Sequence, residues 1–429
     1  MKKAEEIDVA VIGAGVAGLA AADELRRQGL RVAVLEARER IGGRILTHRD
    51  ERFPFAIELG AEFIHGDAPE TGRIVREAGA LAYEVAGGHW RAERGRLRRY
   101  GDFWSPVDRV LGRIDPERED RSFADFLAER PGGRSLARDR TVAREFVEGF
   151  HAADSREVSV LSIAPEGEPP TESARNAGRI VQGYDVIPRW LARDLGDDLR
   201  LGSPVTEIAW ERGRVEITAE PCRVQARAAV VTLPLGVLQA PPDEPGGVRF
   251  RPDIPSIRKA VNGLAVGEVV RLAMVFREFP WEDPGSLGYL HTSNPSFRVW
   301  WTGFPLRAPL LIAWSGGPAA RELIRRGQGE IEGEALRVLS EHLGISRRRI
   351  ESRLEGIWMH DWESDPFTRG AYSYARVGGS ESAKELAKPV EGTLFFAGEA
   401  ADAEGRNGTV EGAIATGLRA ARKVSKDLK

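Results

Sequence analysis

The apolar and polar positions of the first forty residues predict a strand, a glycine-rich turn, a helix and a second strand. Residues 7–12 form an apolar run that leads straight into the stretch GAGVAG at residues 13–18. A helical repeat of apolar positions follows, and a second apolar run at residues 32–35 ends at the acidic residue Glu36. These elements in this order predict the start of a βαβ unit with parallel strands.

The residue types of the turn fit a site for a dinucleotide. Gly13 permits the tight turn, Gly15 lets backbone N–H groups approach a pyrophosphate, and Gly18 lets the helix pack on the strand. Ala14 belongs to the same turn, and the helix that follows directs its unpaired amides at the phosphates. Glu36 lies about 20 residues past the glycines, where it would accept hydrogen bonds from ribose hydroxyls. The pattern leaves NAD and FAD equally open.

Strand patterns return after residue 195 and fall into two groups. The first group returns to the style of the N-terminal domain and covers residues 199–210, 215–218 and 228–233, with a further short strand at 393–397. The second group, at residues 267–276, 298–301 and 310–314, predicts a mixed sheet that forms the floor of a second domain.

Helical patterns complete the predicted architecture. Residues 67–194 are predicted to be mainly helical, with amphipathic helices at 122–130, 330–343 and 407–421. We predict an α/β fold in which a Rossmann-type cofactor domain is interleaved with a substrate domain of mixed sheet and helices. The cofactor domain is discontinuous and comprises residues 1–70, 195–240 and 385–429. The substrate domain comprises residues 71–194, which carry a helical insert, and 241–384.

Composition excludes several classes of protein. At 429 residues the chain is too long for one simple core, and its formal net charge of −3 argues against nucleic acid as a partner. No signal-peptide pattern and no apolar stretch of eighteen residues occur, so we expect a soluble, cytoplasmic protein without a membrane partner. A single cysteine, Cys222, excludes an intramolecular disulfide and a multi-cysteine metal site, and no metal is predicted. The oligomeric state stays open.

Several short stretches together resemble the flavin-dependent amine oxidases, which include monoamine oxidases, polyamine oxidases and lysine-specific histone demethylases. These stretches are GAGVAG, IGGR, ELGAEFIHG, TLPLGVL, DPFTRGAYSY and FAGEA followed by GTVEGA. The resemblance covers both ends of the chain and the strands at 199–240 and 265–281, whereas residues 90–180 match only in general character. The C-terminal segment favours FAD, because it would have no purpose in a plain NAD dehydrogenase.

The resemblance implies that FAD is bound without a covalent link by segments almost 400 positions apart. The implied cofactor residues are Gly13, Ala14, Gly15, Gly18, Glu36, Ala37, Arg38, Gly42, Gly43, Arg44, Gly60, Ala61, Glu62, Val205, Gly398, Glu399, Thr409, Val410 and Ala413. Val205 would meet the adenine and Glu399 would bind ribityl or ribose hydroxyls. Ala371 stands where monoamine oxidases attach FAD through a cysteine.

The resemblance also implies catalytic and substrate-binding residues. The implied catalytic residues are His65, Arg271, Trp362 and Tyr372, and the implied substrate-binding residues are Glu62, His65, Tyr372 and Thr409. Trp362 and Tyr372 would form an aromatic wall, and His65 matches an active-site histidine of animal polyamine oxidases. Taken alone, His65 is better explained as a structural histidine beside a glycine turn.

Besides Ala371, two positions depart from the pattern of the family. Thr409 replaces the second tyrosine of the monoamine oxidase sandwich, as in demethylase-like members. Arg271 stands where many members carry a lysine that assists the reaction with dioxygen. Since an arginine cannot lose its proton and is bulkier, its presence puts fast oxidase turnover in doubt.

The sequence therefore predicts FAD-dependent oxidation of a primary or secondary amine, either a polyamine or a monoamine. The imine would hydrolyse to an aldehyde and an amine or ammonia, while dioxygen reoxidises the flavin and becomes hydrogen peroxide. Glu62 and His65 favour a polyamine slightly. The alternatives are an L-amino-acid oxidase, an amine dehydrogenase with another electron acceptor, an FAD-linked desaturase, and an FAD-bearing interaction protein with weak catalysis.

Overall fold

The computed structural model describes residues 5–85, 87–93, 95–164, 177–281 and 285–428. The strands in chain order are β1 (Glu5–Ile12), β2 (Val32–Leu35), β3 (Thr47–His48), β4 (Ile57–Glu58), β5 (Ile64–His65), β6 (Ala82–Glu84), β7 (Gly88–Glu93), β8 (Arg96–Arg99), β9 (Ala177–Ile180), β10 (Leu199–Arg200), β11 (Val205–Glu211), β12 (Arg214–Ala219), β13 (Arg223–Val231), β14 (Arg249–Arg251), β15 (Leu264–Gly267), β16 (Val269–Phe276), β17 (Leu287–His291), β18 (Val299–Thr302), β19 (Leu310–Gly316), β20 (Leu354–Trp358), β21 (Tyr372–Ala375) and β22 (Leu394–Phe396). The α-helices are α1 (Val16–Arg27), α2 (Pro69–Glu77), α3 (Trp104–Leu111), α4 (Phe123–Ala128), α5 (Ala137–Phe150), α6 (Val186–Ala192), α7 (Leu235–Gln239), α8 (Pro255–Asn262), α9 (Gly317–Ile324), α10 (Gln328–Leu343), α11 (Arg347–Glu351), α12 (Ser382–Leu386) and α13 (Val410–Leu428).

The first sheet has the Rossmann-type topology that the sequence predicts. Its strand order is β10-β2-β1-β13-β12-β11-β14, and β22 pairs with the end of β13. Strands β10, β2, β1, β13 and β22 run parallel, while β12 returns antiparallel to β13. Strand β2 is buried at all four positions, as expected for a parallel strand covered on both faces. Helices α1 and α13 cover one face, and the predicted α/β fold class is confirmed.

Two glycines allow α1 to approach its neighbours more closely than any side chain would permit. A Cβ atom on Gly18 would lie 2.0 Å from the carbonyl oxygen of Gly13, so this glycine holds the helix against the turn. A Cβ atom on Gly417 in α13 would lie 2.1 Å from the carbonyl oxygen of Ala17 in α1. The backbones of the N-terminal and C-terminal helices are therefore in direct contact.

The second sheet carries the predicted substrate side of the molecule. Its order is β20-β16-β19-β18-β17-β7-β8, and its pairs are antiparallel except for β17 and β7. Helices α9, α10 and α11 pack on one face around the fully buried Trp300. The other face packs against Ile57 and Leu59, so it is turned toward the polypeptide that follows the glycine-rich region.

The structure corrects three predictions about element bounds. Residues 67–194 are not mainly helical throughout, because β7 and β8 form an edge hairpin whose exposed arginines disguise it in the sequence. The strand predicted at 199–210 breaks into β10 and β11, since Gly202 has a φ of +57° and Pro204 lacks an N–H. The helix predicted from residue 407 begins at Val410 instead.

The division into two domains stays a prediction. The first sheet continues past residue 240, because β14 pairs with β11 and α8 packs on the face of the sheet opposite α1 and α13. Among the helices that the structure describes, none combines the length and the apolar character needed to cross a membrane.

We predict that Gly417→Ala destabilises the fold by about 1–3 kcal/mol, because the new methyl group must displace the α1 backbone. Urea unfolding followed by circular dichroism measures the change. Gly333→Ala in α10 is the matched control, since a Cβ atom there meets nothing within 4 Å. The control should raise the stability by about 0.5–1 kcal/mol. Equal effects of the two variants would contradict the assigned contact.

Candidate active site

A cavity of about 1290 Å³ connects the first sheet with the second. Its lining contains every predicted site residue except Ala14 and Gly18, which lie behind the turn. The predicted residues on the lining are Gly13, Gly15, Glu36, Ala37, Arg38, Gly42, Gly43, Arg44, Gly60, Ala61, Glu62, His65, Val205, Arg271, Trp362, Tyr372, Gly398, Glu399, Thr409, Val410 and Ala413. The fold thus brings into one space segments that lie far apart in the chain.

The end of the cavity beside β1 has the features of a dinucleotide site. A Cβ atom on Gly15 would meet nothing within 4 Å, so the turn is open toward the cavity. Gly42 pairs with Gly15 in an isolated bridge, which sets the second glycine stretch beside the first. The Glu36 carboxylate accepts hydrogen bonds from the N–H groups of Ala14, at 2.7 Å, and Arg38, at 3.0 Å. A carboxylate has about four acceptor positions, so Glu36 keeps capacity for ribose hydroxyls.

Glu399 ties both ends of the chain together beside the cavity. Its Oε1 pairs with Arg44 Nη1 at 2.8 Å, and its Oε2 accepts hydrogen bonds from Ser373 Oγ at 2.7 Å and Gly408 N at 2.9 Å. Burial alone would raise the pKa of Glu399, but Arg44 and these donors hold the pKa below its usual value. Because Oε2 is fully engaged, only Oε1 can accept a further hydrogen bond from a cofactor hydroxyl.

The side chain of Thr409 stabilises the start of helix α13, which begins at the next residue. Its hydroxyl accepts a hydrogen bond from Gly412 N at 3.0 Å and donates one to Arg406 O at 2.6 Å. This is the geometry of an N-cap on α13, which orients the first turn of the helix toward the cavity. The hydroxyl donor is therefore unavailable for the predicted contact with a substrate, and the side chain serves the helix.

Glu62 lies between two buried arginines. Its Oε2 pairs with Arg271 Nη2 at 2.5 Å and accepts a hydrogen bond from Trp301 Nε1 at 2.9 Å, while its Oε1 contacts Arg179 Nε at 2.6 Å. Burial alone would raise the pKa of Glu62, but the two guanidinium groups outweigh burial and keep the carboxyl ionised. The prediction that Glu62 attracts a substrate amine is not supported, because its charge is already neutralised.

Trp362 and Tyr372 lie on the cavity wall as predicted, and each is fixed by a hydrogen bond to the backbone. Trp362 Nε1 donates to Leu59 O at 3.1 Å, and its ring packs so closely on Gly60 that a Cβ atom there would lie 3.1 Å away. Tyr372 donates its hydroxyl proton to Phe150 O at 2.6 Å. Both rings are therefore held as rigid surfaces rather than as hydrogen-bond donors to a ligand.

Aromatic side chains around the second part of the cavity form a circuit of neighbours. The members in order are His65, Phe63, Trp301, Tyr289, His89, Phe103, Phe146 and Phe150, and all eight line the cavity. Seven of the eight adjacent pairs have ring centroids 4.7–6.4 Å apart, and the eighth pair, Trp301 and Tyr289, are register partners on β18 and β17. His65 is exposed to the cavity, yet the surrounding protein lowers its pKa to about 4, so the imidazole is neutral. We name these residues the aromatic circuit.

Several of these residues escape prediction from the sequence. Arg179 is one of many arginines in the chain, and nothing in its neighbourhood marks it as the buried partner of Glu62. Trp301 lies in a strand whose aromatic character is evident, so that signal could have indicated it. His89 and His291 are 202 positions apart, and their contact depends wholly on the pairing of β7 with β17. Among the described residues, no three His, Cys, Asp or Glu side chains form a metal-binding cluster.

Comparisons with known proteins agree with this geometry. A family model described as flavin containing amine oxidoreductase matches residues 16–425. The chain is 29% identical to polyamine oxidase 3 of Oryza sativa subsp. japonica, over 98% of this chain and 90% of that protein. It is 28% identical to polyamine oxidase 2 of Arabidopsis thaliana, over 98% of this chain and 88% of that protein.

Solved structures of two oxidases share the fold. A putrescine oxidase bound to putrescine superimposes with a TM-score of 0.82 at 22% identity, covering 98% of this chain and 99% of that one. Cyclohexylamine oxidase from Brevibacterium oxydans IH-35A gives a TM-score of 0.81 at 22% identity, covering 99% and 100%. The fold, the open glycine turn and the family match together show that the chain belongs to the flavin-containing amine oxidoreductases and is an FAD-dependent enzyme that oxidises amines.

Proposed function

We propose that the enzyme oxidises an amine with an apolar or aromatic body, and that dioxygen is its electron acceptor. The amine loses two electrons and a proton from its C–H bond and a proton from nitrogen, which gives an imine. Water hydrolyses the imine to an aldehyde or a ketone and to ammonia or a smaller amine. When bound, FAD supplies the redox chemistry by accepting the hydride equivalent and passing both electrons to dioxygen, which becomes hydrogen peroxide.

The residues present fit FAD. Gly15 leaves the turn open for a pyrophosphate, and Glu36 keeps acceptor capacity for a ribose. The cavity continues from there to the start of α13, whose N-terminal amides favour an electron-rich group. Ala371 has no atom that can form a covalent link, which supports non-covalent binding.

We base the proposed substrate on the aromatic circuit. Aromatic faces attract an ammonium group on approach and pack against the apolar body of a neutral amine. Glu62, which contacts Trp301 of the circuit, is neutralised by Arg179 and Arg271, and Glu145 on the same lining pairs with Arg298 at 3.2 Å. Apolar walls with these two acids paired favour a monoamine over a polyamine that carries several ammonium groups.

The names of similar proteins include both polyamine and monoamine substrates. The plant relatives are polyamine oxidases, one structural neighbour is named for the diamine putrescine, and another is named for cyclohexylamine, an apolar monoamine. Because of the apolar lining of its cavity, we assign the chain to the type that oxidises an apolar monoamine. We also infer that Arg271 cannot clamp a substrate carboxylate, since it is bound to Glu62 and its remaining Nη1 atom is enclosed by protein.

We predict that cyclohexylamine and phenethylamine bleach the visible flavin absorbance of the holoenzyme under anaerobic conditions faster than putrescine, spermidine or leucine. Admission of air should restore the absorbance and release hydrogen peroxide in proportion to the amine consumed. Bleaching by spermidine alone would contradict the substrate assignment. Bleaching by leucine alone would indicate an amino-acid oxidase, and failure of air to restore the colour would indicate a different electron acceptor.

We predict that Arg271→Lys increases the rate of reoxidation by dioxygen several-fold. A lysine keeps the charge opposite Glu62, but its ammonium is smaller and can exchange a proton, which a guanidinium cannot. Stopped-flow mixing of anaerobically reduced enzyme with aerated buffer measures the rate. Arg179→Lys is the matched control, because it makes the same change on the other side of Glu62 and Arg179 does not line the cavity. An unchanged rate for Arg271→Lys, or an equal gain in the control, would refute the prediction.

A further inference from the structure

One member of the aromatic circuit, His89, forms a polar pair with a histidine that lies beside the circuit. His89 on β7 and His291 on the neighbouring strand β17 are joined by a hydrogen bond of 2.8 Å between Nδ1 of His89 and Nε2 of His291. Their rings are stacked, with centroids 5.1 Å apart, and both residues line the cavity. The pair lies on the opposite arc of the circuit from His65, joined to it through Phe103, Phe146 and Phe150.

The surroundings of the pair are aromatic and keep both imidazoles neutral. Tyr289 stacks on His89 at 4.7 Å, Phe103 stacks on its other side at 5.7 Å, and Tyr100 contacts His291 at 5.0 Å. Burial lowers the pKa of His291 to about 3, with smaller contributions from His89 and Arg91, and burial also lowers the pKa of His89.

The hydrogen bond between the two rings leaves polar atoms available on the outside of the pair. A neutral imidazole has one donor nitrogen and one acceptor nitrogen. Whichever ring donates, one of the two outer nitrogens, His89 Nε2 and His291 Nδ1, is a donor and the other is an acceptor. When both rings change tautomer, the donor and the acceptor change places. No hydrogen bond within the described part of the chain engages either outer nitrogen. His89 is only partly buried, so its Nε2 is the atom that a ligand in the cavity can reach.

The charges near the pair decide which ligand group fits. Arg91 lies over the Tyr100 ring at 4.2 Å and pairs with Glu93, so it is not a free cation, and an ammonium group, which only donates, would fit one tautomer alone. Arg298 on the same lining is paired with Glu145, while Asp102 accepts a hydrogen bond from Ser105 N. Within the aromatic walls a carboxylate would lose its hydration without a free cation beside the imidazoles. A neutral group that donates and accepts hydrogen bonds satisfies both tautomers.

We propose that the His89–His291 pair is a distal recognition site, which binds a hydroxyl group on the end of the substrate opposite the amine. The site makes a hydroxylated aromatic amine, such as a phenolic phenethylamine, the preferred class of substrate. The aromatic circuit packs the ring of the substrate, and His89 Nε2 hydrogen-bonds to its hydroxyl. This inference rests on the proposed function, since it names the far end of the same substrate.

The test compares tyramine with phenethylamine, which differ by one hydroxyl group, on the wild-type holoenzyme and on His89→Phe. One hydrogen bond to a neutral group predicts a KM about tenfold lower for tyramine, with similar kcat. His89→Phe keeps the stacked ring but loses both nitrogens, so the two substrates should become equal. His89→Asn keeps a hydrogen-bonding group and should recover part of the preference. Tyr289→Phe, which removes a hydroxyl from the same stack, is the matched control and should keep the full preference.

A binding experiment separates this inference from the proposed function. The phenol 4-ethylphenol, which has no amine to oxidise, should raise the thermal unfolding midpoint of the wild-type holoenzyme more than ethylbenzene does, and His89→Phe should abolish the difference. Failure of all amines to bleach the flavin would sink the proposed function and leave this measurement valid. Equal KM values in the wild type, equal losses for both substrates in His89→Phe, or loss of the preference in Tyr289→Phe would each overturn the distal site.

Discussion

The buried ion pair between Arg44 and Glu399 joins the two ends of the chain, and the cofactor side of the cavity depends on it. Arg44 follows the second glycine stretch, and Glu399 follows β22, so the pair spans 355 positions. Removing two charges from water carries a large free-energy penalty, which further hydrogen bonds to the carboxylate help to offset. Ser373 and Gly408 supply two such donors to Oε2 of Glu399. The glycine turn, β21 and the start of α13 are thereby held around one space.

A second buried carboxylate, Glu62, is also held by ion pairs, and it lies on the predicted substrate side of the cavity. Glu62 is shared by Arg179 and Arg271, so the cluster carries one net positive charge beside the aromatic circuit. This arrangement leaves Trp301 and Phe63 as the surfaces that a ligand meets, since Trp301 donates to Glu62 and Arg179 lies over Phe63 at 4.6 Å. This part of the cavity wall therefore presents ring surfaces rather than the Glu62 carboxylate.

The close contact of α1 and α13 explains why the cofactor side and the substrate side of the cavity face each other. Gly417 brings α13 to backbone distance from Ala17 in α1, Gly18 holds α1 against the glycine turn, and Thr409 caps the helix that starts at the cavity. A larger residue at Gly417 would move α13, and with it Val410 and Ala413 on the lining. The same tight packing that stabilises the first sheet thus sets the width of the cavity.

The sequence by itself determined the βαβ unit, the glycine turn and Glu36, while its resemblance to the flavin-dependent amine oxidases implied the other residues around the cofactor part of the cavity. Local patterns suffice for the βαβ unit, because turn geometry, strand periodicity and helix starts are encoded within a few neighbouring residues. Only the tertiary structure decided that Glu62 is neutralised, that Thr409 caps a helix, and that His89 meets His291 beside the aromatic circuit. Those contacts join residues up to 239 positions apart and depend on which strands lie side by side, which no local pattern in an arginine-rich chain records.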